Sequence, residues 1–340
     1  MPTSLLLFSS SALAAPPPRP TLAPVPRVQL EALVARANAY ASTETRAGAT
    51  QKAYATDFRS FETWCQAQGL TSMPATPATV SVYLASLAGE GKRPSTIARA
   101  LAGIADEHRH RGCTWVRGPS VIGDVMRGIR RRHGTAPDQK APLSDDDMQA
   151  MVAVLDDDLA GLRDRAILTM GWMGAFRRSE LVALTVEDVG PAGEGLVVQV
   201  RRSKGDQEGR GAKKGIPYAA RPGLCAVRAL AAWLEAAGIT SGPIFRAVGS
   251  DGRVRPDALS DRSVARIVQK VAAAAGLDPA TVGAHSLRAG FAATAAKKGK
   301  SLNAIMRQTP HKSERVARSY VRTQGCLTTT RRSDLREIRR

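Results

Sequence analysis

The spacing of apolar residues divides the chain at about residue 133. From Val28 to His133 they recur at three- and four-residue steps, the period of helices with one buried face. "QLEALVARANAYA" opens the series. In "TQKAYATDFRSFETWCQAQG", Tyr54, Phe58, Phe61 and Cys65 keep the step and Gly69 ends it. "TPATVSVYLASLAGEG" offers Thr76 as a cap and Pro77 as the first helical residue. "PSTIARALAGIADEHRHRG" reads as a helix from Ser95 to Gly112, and "SVIGDVMRGIRRRHG" closes the set. The proline- and glycine-containing "HGTAPDQKAPLS" (133–144) then breaks the pattern.

Beyond the break the pattern mixes. "SDDDMQAMVAVL" predicts a helix with Ser144 and Asp147 at capping-box spacing. "LRDRAILTMGWMGAF" predicts a buried helix and "SELVALTVEDV" another. "GLVVQVRRSK" alternates through Val198 and Val200 like a strand, and "KKGIPYAA" reads as its return. Helices are expected from there to the end. The fold class is therefore mainly α with a small antiparallel sheet, in two domains. The divisions expected are a disordered leader 1–28, a helical domain 29–134, a linker 135–143, a second domain 144–325 and a C-terminal segment 326–340.

Charge narrows the function. With 49 Lys+Arg against 30 Asp+Glu, the net charge is +19, which calls for a polyanionic partner. Aromatic residues are only 4%, too few for a surface on which single-stranded bases stack, so duplex DNA gripped by its phosphates fits best. No apolar run is long enough to cross a membrane, and no basic helix carries an aromatic face, so a membrane-surface partner is disfavoured. "LLLFSSSALAAP" has the apolar run of a signal peptide, but "MPTS" before it lacks the basic residues of one, and a cytoplasmic location is expected. Cys65, Cys113, Cys225 and Cys326 have no C-x-x-C spacing and read as reduced thiols, with no zinc site.

The chemistry-bearing residues are individually plain. "GAFRRSEL" (174–181) can be a solvated basic helix start. His285 and Arg288 share a helix face and offer two convergent donors to an anion. Lys204 sits in a hairpin turn, and Tyr320 follows Val316 by four, as a packing residue would. The acidic runs "SDDDM" and "LDDDL" invite a metal-dependent nuclease reading, but neighbouring helical residues point apart, and acids favour helix starts.

In chain order, Arg177, Lys204, His285-x-x-Arg288, His311 and Tyr320 resemble the tyrosine recombinase (phage integrase) family. "GAFRRSELVALTVEDV" resembles its first arginine box, with Arg177 in the catalytic place and Glu180 in the acidic supporting place. "HSLRAG" is similar to the second box, and "TPHKSERVARSYV" to the third, with the family's nine-residue step from His311 to Tyr320. "FRSFETWCQAQG" and "PSTIARALAGI" are most similar to the Cre subgroup. Pro310 stands where the family usually has glycine, and Arg178 where it usually has an apolar residue.

The resemblance implies an N-terminal helical core-binding (SAM-like) domain and a C-terminal catalytic domain, closed as a clamp around duplex DNA. It implies strand cleavage by Tyr320 with no metal or ATP cofactor. Arg177, Arg288 and His311 would hold the phosphate, His285 would take the tyrosine proton, and Lys204 would protonate the leaving oxygen. Lys213 and Lys214 are alternatives on the same hairpin. It implies inverted-repeat half-sites, a homotetramer on two DNA sites, and a C-terminal segment passed to a neighbour, with Leu327, Leu335 and Ile338 as its buried contacts. Arg99 becomes a base-reading candidate on a major-groove helix, with Lys52 on the other; Arg130, Arg131, Arg132 and Lys140 suit phosphates. The competing readings are a type IB topoisomerase-like enzyme, a catalytically silent DNA-binding relative and a membrane-surface binder.

Overall fold

The structure is a computed structural model that describes residues 48–113, 121–136, 140–201, 206 and 211–309, together with 29, 31–33 and 36. The chain forms two compact units, 1–135 and 136–340. The leader, most of "QLEALVARANAYA", Lys204, His311, Tyr320 and the C-terminal segment lie outside the described residues.

Unit one holds four described helices: α1 (Gly48–Ala67), α2 (Pro77–Gly89), α3 (Pro94–His110) and α4 (Val121–His133). Helix α1 packs on α3 and α2 on α4. The helical stripe seen in the sequence is the core: Phe58, Phe61 and Cys65 meet Tyr83, Leu84, Ile97, Ile104, Met126 and Ile129. Phe61 and Tyr83 stack with ring centroids 5.0 Å apart, a tilted pairing that adds to area burial. Thr76 caps α2 by accepting from the Thr79 amide, with Pro77 next, as expected. Helix α3 starts one residue earlier than Ser95: Pro94 occupies its first turn, where a missing N–H costs nothing.

Unit two contains α5 (Asp145–Ala153), α6 (Leu159–Met173), α7 (Arg178–Val182), β1 (Val189–Ala192), β2 (Gly195–Val200), β3 (Ala212–Pro217), α8 (Ala226–Ala236), β4 (Arg246–Val248), β5 (Val254–Ala258), α9 (Asp261–Ala274), α10 (Ala284–Lys297) and α11 (Leu302–Gln308). Strands β1, β2 and β3 form an antiparallel sheet in that order, and β4 and β5 pair separately. Ser144 and Asp147 form the capping box of α5, and Asp158 caps α6, so both acidic runs serve helix starts. The core gathers Met148, Met151, Ile167, Met170, Leu181, Val198, Ile216, Leu230, Val268 and Leu287 around Trp233, whose indole donates to the Ile244 carbonyl.

The helix read over "SELVALTVEDV" ends at Val182, because Leu184 and Val186 hydrogen-bond to Ile244 and Gly242 instead, and Asp188 closes a turn on Thr185. Strand β1 is an addition to the expected sheet, since "VGPA" has no alternating pattern to announce it. The β4–β5 hairpin interrupts the expected helical run; β4 has three residues, and β5 carries Arg255, Pro256 and Asp257, which mask its period. Residues 140–143, expected within a linker, are bonded along unit two: the Ala141 amide to the Thr281 carbonyl and the Leu143 amide to the Ser286 carbonyl.

Candidate active site

The site is built on the turn from α6 to α7. Helix α6 ends at Gly174, and Ala175 follows in the left-handed region at φ 46, the one non-glycine residue there among the described residues. The chain re-enters helix at Arg178, with Arg177 as the preceding cap residue. Glu180, 3% exposed, turns back to accept from the Arg177 amide at 3.0 Å and from Arg177 Nη1 at 2.5 Å. One carboxylate thus satisfies a helix-start amide and fixes the first arginine. Arg178 pairs with Asp261 on α9 at 2.9 Å, which gives a charged residue a partner at a position usually apolar in the resembled family.

The second arginine comes from α10, a helix drawn close to its neighbours by missing side chains. A Cβ at Gly290 would lie 2.1 Å from the Leu143 carbonyl oxygen, so only glycine fits there. Arg288 is 1% exposed, and its Nη1 donates to the Ala175 carbonyl at 2.6 Å. His285 sits in the first turn of the same helix with an exposed edge. Partial desolvation, then the charges of Arg288 and Arg177, draw its pKa below the ordinary histidine value. The α10 N-terminus adds partial positive charge beside His285.

Beneath them lies Lys214 of β3, paired in register with Val198. Its Nζ donates to the carbonyls of Gly174 at 2.7 Å and Ala175 at 3.3 Å and lies 3.9 Å from Glu180 Oε2. Burial lowers its pKa to about 7; Glu180 opposes that fall, while Arg288 and Arg177 add to it. Gln308, at the end of α11, donates to the carbonyls of Met173 at 3.2 Å and Gly215 at 3.0 Å. The chain thus departs for His311 and Tyr320 from beside the same turn.

The structure brings together Arg177, Glu180, His285 and Arg288. It also places there Lys214, which the sequence offered only as an alternative acid, and Gln308, which the sequence did not single out. A signal existed for the first: in a strand of period two, Lys214 shares the inward face with Ile216, and Lys213 faces out. For Gln308 the sequence held no comparable sign. The candidate DNA contacts fall on exposed surface. Lys52 is exposed on α1, Arg130, Arg131 and Arg132 end α4, and Arg99 on α3 spends its Nε and Nη2 on Asp57 at 2.8 and 3.0 Å. Lys140, in unit two, donates to the Ala280 carbonyl. Among the described residues no three His, Cys, Asp or Glu side chains cluster as metal ligands, and no helix is long and apolar enough to cross a membrane.

Comparison with known proteins decides the family. The phage integrase family matches residues 142–325, which span the whole cluster. The chain belongs to the phage integrase family. An integrase/recombinase XerD homologue of Selenomonas ruminantium is 41% identical over 282 residues, 82% of each chain. The tyrosine recombinase XerC of Pelobacter propionicus is 31% identical over 80% of this chain and 83% of its own. The integrase fold extends over both units: a lambda integrase dimer bound to a COC′ core site aligns with TM-score 0.58 and 17% identity, covering 86% of this chain and 77% of that one. The Tn1549 transposon integrase, in complex with transposon right end DNA, aligns with TM-score 0.60 and 13% identity over 84% of this chain and 92% of its own.

Proposed function

We propose that the protein is a site-specific DNA recombinase that cuts and rejoins duplex DNA through a 3′-phosphotyrosyl link. The observation that carries this reading is the joint anchoring of Arg177 and Arg288 on one turn, through Glu180 and the Ala175 carbonyl, in a member of the phage integrase family. Two guanidinium groups held on one support can clamp the non-bridging oxygens of a single phosphate, where negative charge builds in the transition state.

In the proposed step Tyr320 Oη attacks the phosphorus and forms the new P–O bond as the bond to the 5′-oxygen breaks. The phenolic proton passes to His285, whose lowered pKa keeps the imidazole ready to accept it. Lys204 gives its proton to the departing 5′-oxygen, and His311 adds a donor to the phosphate. Lys214 is a poor candidate for that acid, since it is 2% exposed and its donors are engaged inside the fold. The phosphotyrosine keeps the energy of the broken bond, so a second 5′-hydroxyl can reverse the step. Neither ATP nor a metal is needed for that balance.

The finer assignments belong to the same proposal. Domains 29–134 and 144–325 grip the duplex, with Lys52, Arg130, Arg131, Arg132 and Lys140 at phosphates and Arg99 at a base edge. Two named likenesses support this: the lambda integrase relative is a dimer bound to a core site, and the Tn1549 integrase is a complex with transposon end DNA. Inverted-repeat half-sites, a tetramer on two sites, exchange of 326–340 and action in the cytoplasm complete the reading.

The test is a nicked suicide duplex carrying the inverted-repeat half-sites from DNA flanking the gene. A covalent adduct should form, survive EDTA and disappear with Tyr320→Phe. Loss of the adduct in EDTA would overturn the mechanism. Relaxation of supercoils without exchange between paired sites would favour a type IB topoisomerase-like activity.

A further inference from the structure

Lys214 takes no step in the reaction proposed above, yet it lies inside the machinery. Its Nζ donates to the Gly174 carbonyl at 2.7 Å and the Ala175 carbonyl at 3.3 Å and lies at ion-pair distance, 3.9 Å, from Glu180 Oε2. It also lies 4.5 Å from the centroid of the Phe176 ring. These acceptors are the supports of both arginines. The Ala175 carbonyl takes Arg288 Nη1, and the Glu180 carboxylate takes the Arg177 amide and Nη1.

The turn they share holds a strained residue. Ala175 is fully buried and holds φ 46, a conformation that persists only when its surroundings impose it. Lys214 is the group that contacts three consecutive parts of that arrangement: the residue before the strained one, the strained residue and the carboxylate beyond. It does so from β3, an element remote in sequence from α6 and α7. A position that served packing alone, on a face shared with Ile216, would favour an apolar side chain, because a buried ammonium carries a desolvation cost that its partners must offset. The depression of its pKa to about 7 by burial is the sign of that cost.

We propose that Lys214 is a positioning residue that sets the separation of the Arg177 and Arg288 guanidinium groups by tying the Gly174 and Ala175 carbonyls to Glu180. The proposal rests on the recombinase reading and deepens it. Lys214 touches no DNA in this role; it acts through the two arginines. Lys204 and Lys214 then divide the work between proton donation and alignment.

The experiment compares the full-length wild type with Lys214→Met, which fills the space without donors, and Lys214→Gln, which keeps neutral donors. Single-turnover adduct formation on the suicide duplex at saturating DNA is read beside DNA affinity and the thermal midpoint. If the wild type forms no adduct, the recombinase reading fails and Lys214 is not at issue. Given a cleaving wild type, Lys214→Met should slow cleavage by about 10- to 100-fold while DNA affinity changes less than about threefold. In an Arg288→Ala background the same change should cost less than about threefold, because the alignment it serves is already gone. If Lys214→Met does not fold, Lys214→Gln carries both comparisons. The proposal is overturned by a folded variant cleaving within about twofold of wild type, or by equal losses in both backgrounds. It is also overturned if both variants fail to fold, which would place Lys214 in the fold alone.

Discussion

Arg288 Nη1 donates a 2.6 Å hydrogen bond to the carbonyl oxygen of Ala175, a residue at φ 46 in the turn that leads to Arg177. The backbone strain and the burial of the second arginine are therefore one feature. Ala175→Gly removes the steric cost of the left-handed conformation but loosens the unfolded chain, so stability should stay within about 1 kcal/mol and cleavage within about twofold. Ala175→Val places a branched side chain in that conformation at a fully buried site, with an expected loss of about 2–3 kcal/mol and of Arg288 alignment. Urea unfolding together with single-turnover cleavage checks both. Equal behaviour of the two variants would show that the turn is not under steric control.

Glu180 holds Arg177 and faces Lys214 at 3.9 Å, with both side chains of that ion pair 1% exposed. Glu180→Ala leaves two cations without their carboxylate and the Arg177 amide without its acceptor, and about 3–5 kcal/mol of stability should be lost. Glu180→Gln keeps an acceptor for the amide, so a smaller stability loss should accompany a drop of about tenfold or more in cleavage. Denaturation curves and adduct yields measured side by side separate the two effects.

The fold and the site are legible in the sequence wherever local physics decides. The apolar stripe Phe58, Phe61, Cys65 is the core of unit one, and Thr76 and Ser144 cap as their spacing requires. The order Arg177, His285, Arg288 points to one site, and the structure ties both arginines to the turn after α6, with His285 close enough for their charges to lower its pKa. What stays hidden depends on contacts distant in sequence. Strand β4 forms because its neighbours in space hold it, and Gln308 reaches Met173 and Gly215 across the fold. Arg99 reads in the sequence as available to a base, and only the fold shows Asp57 holding one edge of its guanidinium. Lys214 is one hairpin lysine among several until period-two burial is applied to a charged residue.

His285 sets an acid limb whose position follows from its environment. Partial desolvation and the neighbouring Arg288 and Arg177 lower its pKa, so the ring loses its proton at a lower pH than a free histidine does. A base must be unprotonated to act, so cleavage should rise with pH with its midpoint below the free-histidine value of about 6.5. His285→Gln should lower the plateau by about 10²- to 10⁴-fold and remove that limb. A single-turnover rate profile from acid to neutral pH is the measurement. A midpoint clearly above the free-histidine value would remove His285 from the role.

Arg130, Arg131 and Arg132 are exposed at the end of α4 and are assigned to phosphates, whereas Arg99 is assigned to a base edge. Replacing all three with alanine should weaken binding to every duplex alike. It should also flatten the plot of log affinity against log salt by about 0.9 for each phosphate no longer neutralised. Arg99→Ala should instead blunt the preference for the cognate site over its base-pair variants, by about 1–3 kcal/mol at one position, with little change in slope. Salt-titrated binding to cognate and altered duplexes distinguishes them, and an unchanged slope in the triple variant would end the phosphate assignment.

Lys214 makes stability itself depend on pH. Burial holds its folded pKa at about 7, against about 10.4 for the same group in an unfolded chain. Below about pH 7 both states carry the proton, and the cost of the buried charge is constant. Between about 7 and 10.4 the unfolded chain binds the additional proton, so this group's contribution to stability rises with pH. Above that range it is flat again. Wild type measured against Lys214→Met should therefore gain stability across the window, with a slope approaching about 1.4 kcal/mol per pH unit. The same titratable groups are present elsewhere in both proteins and cancel in the difference. Urea unfolding of the pair at several pH values from about 6.5 to about 10 gives that slope directly. A difference that does not change with pH would mean that Lys214 keeps its proton throughout, with Glu180 rather than burial setting its charge.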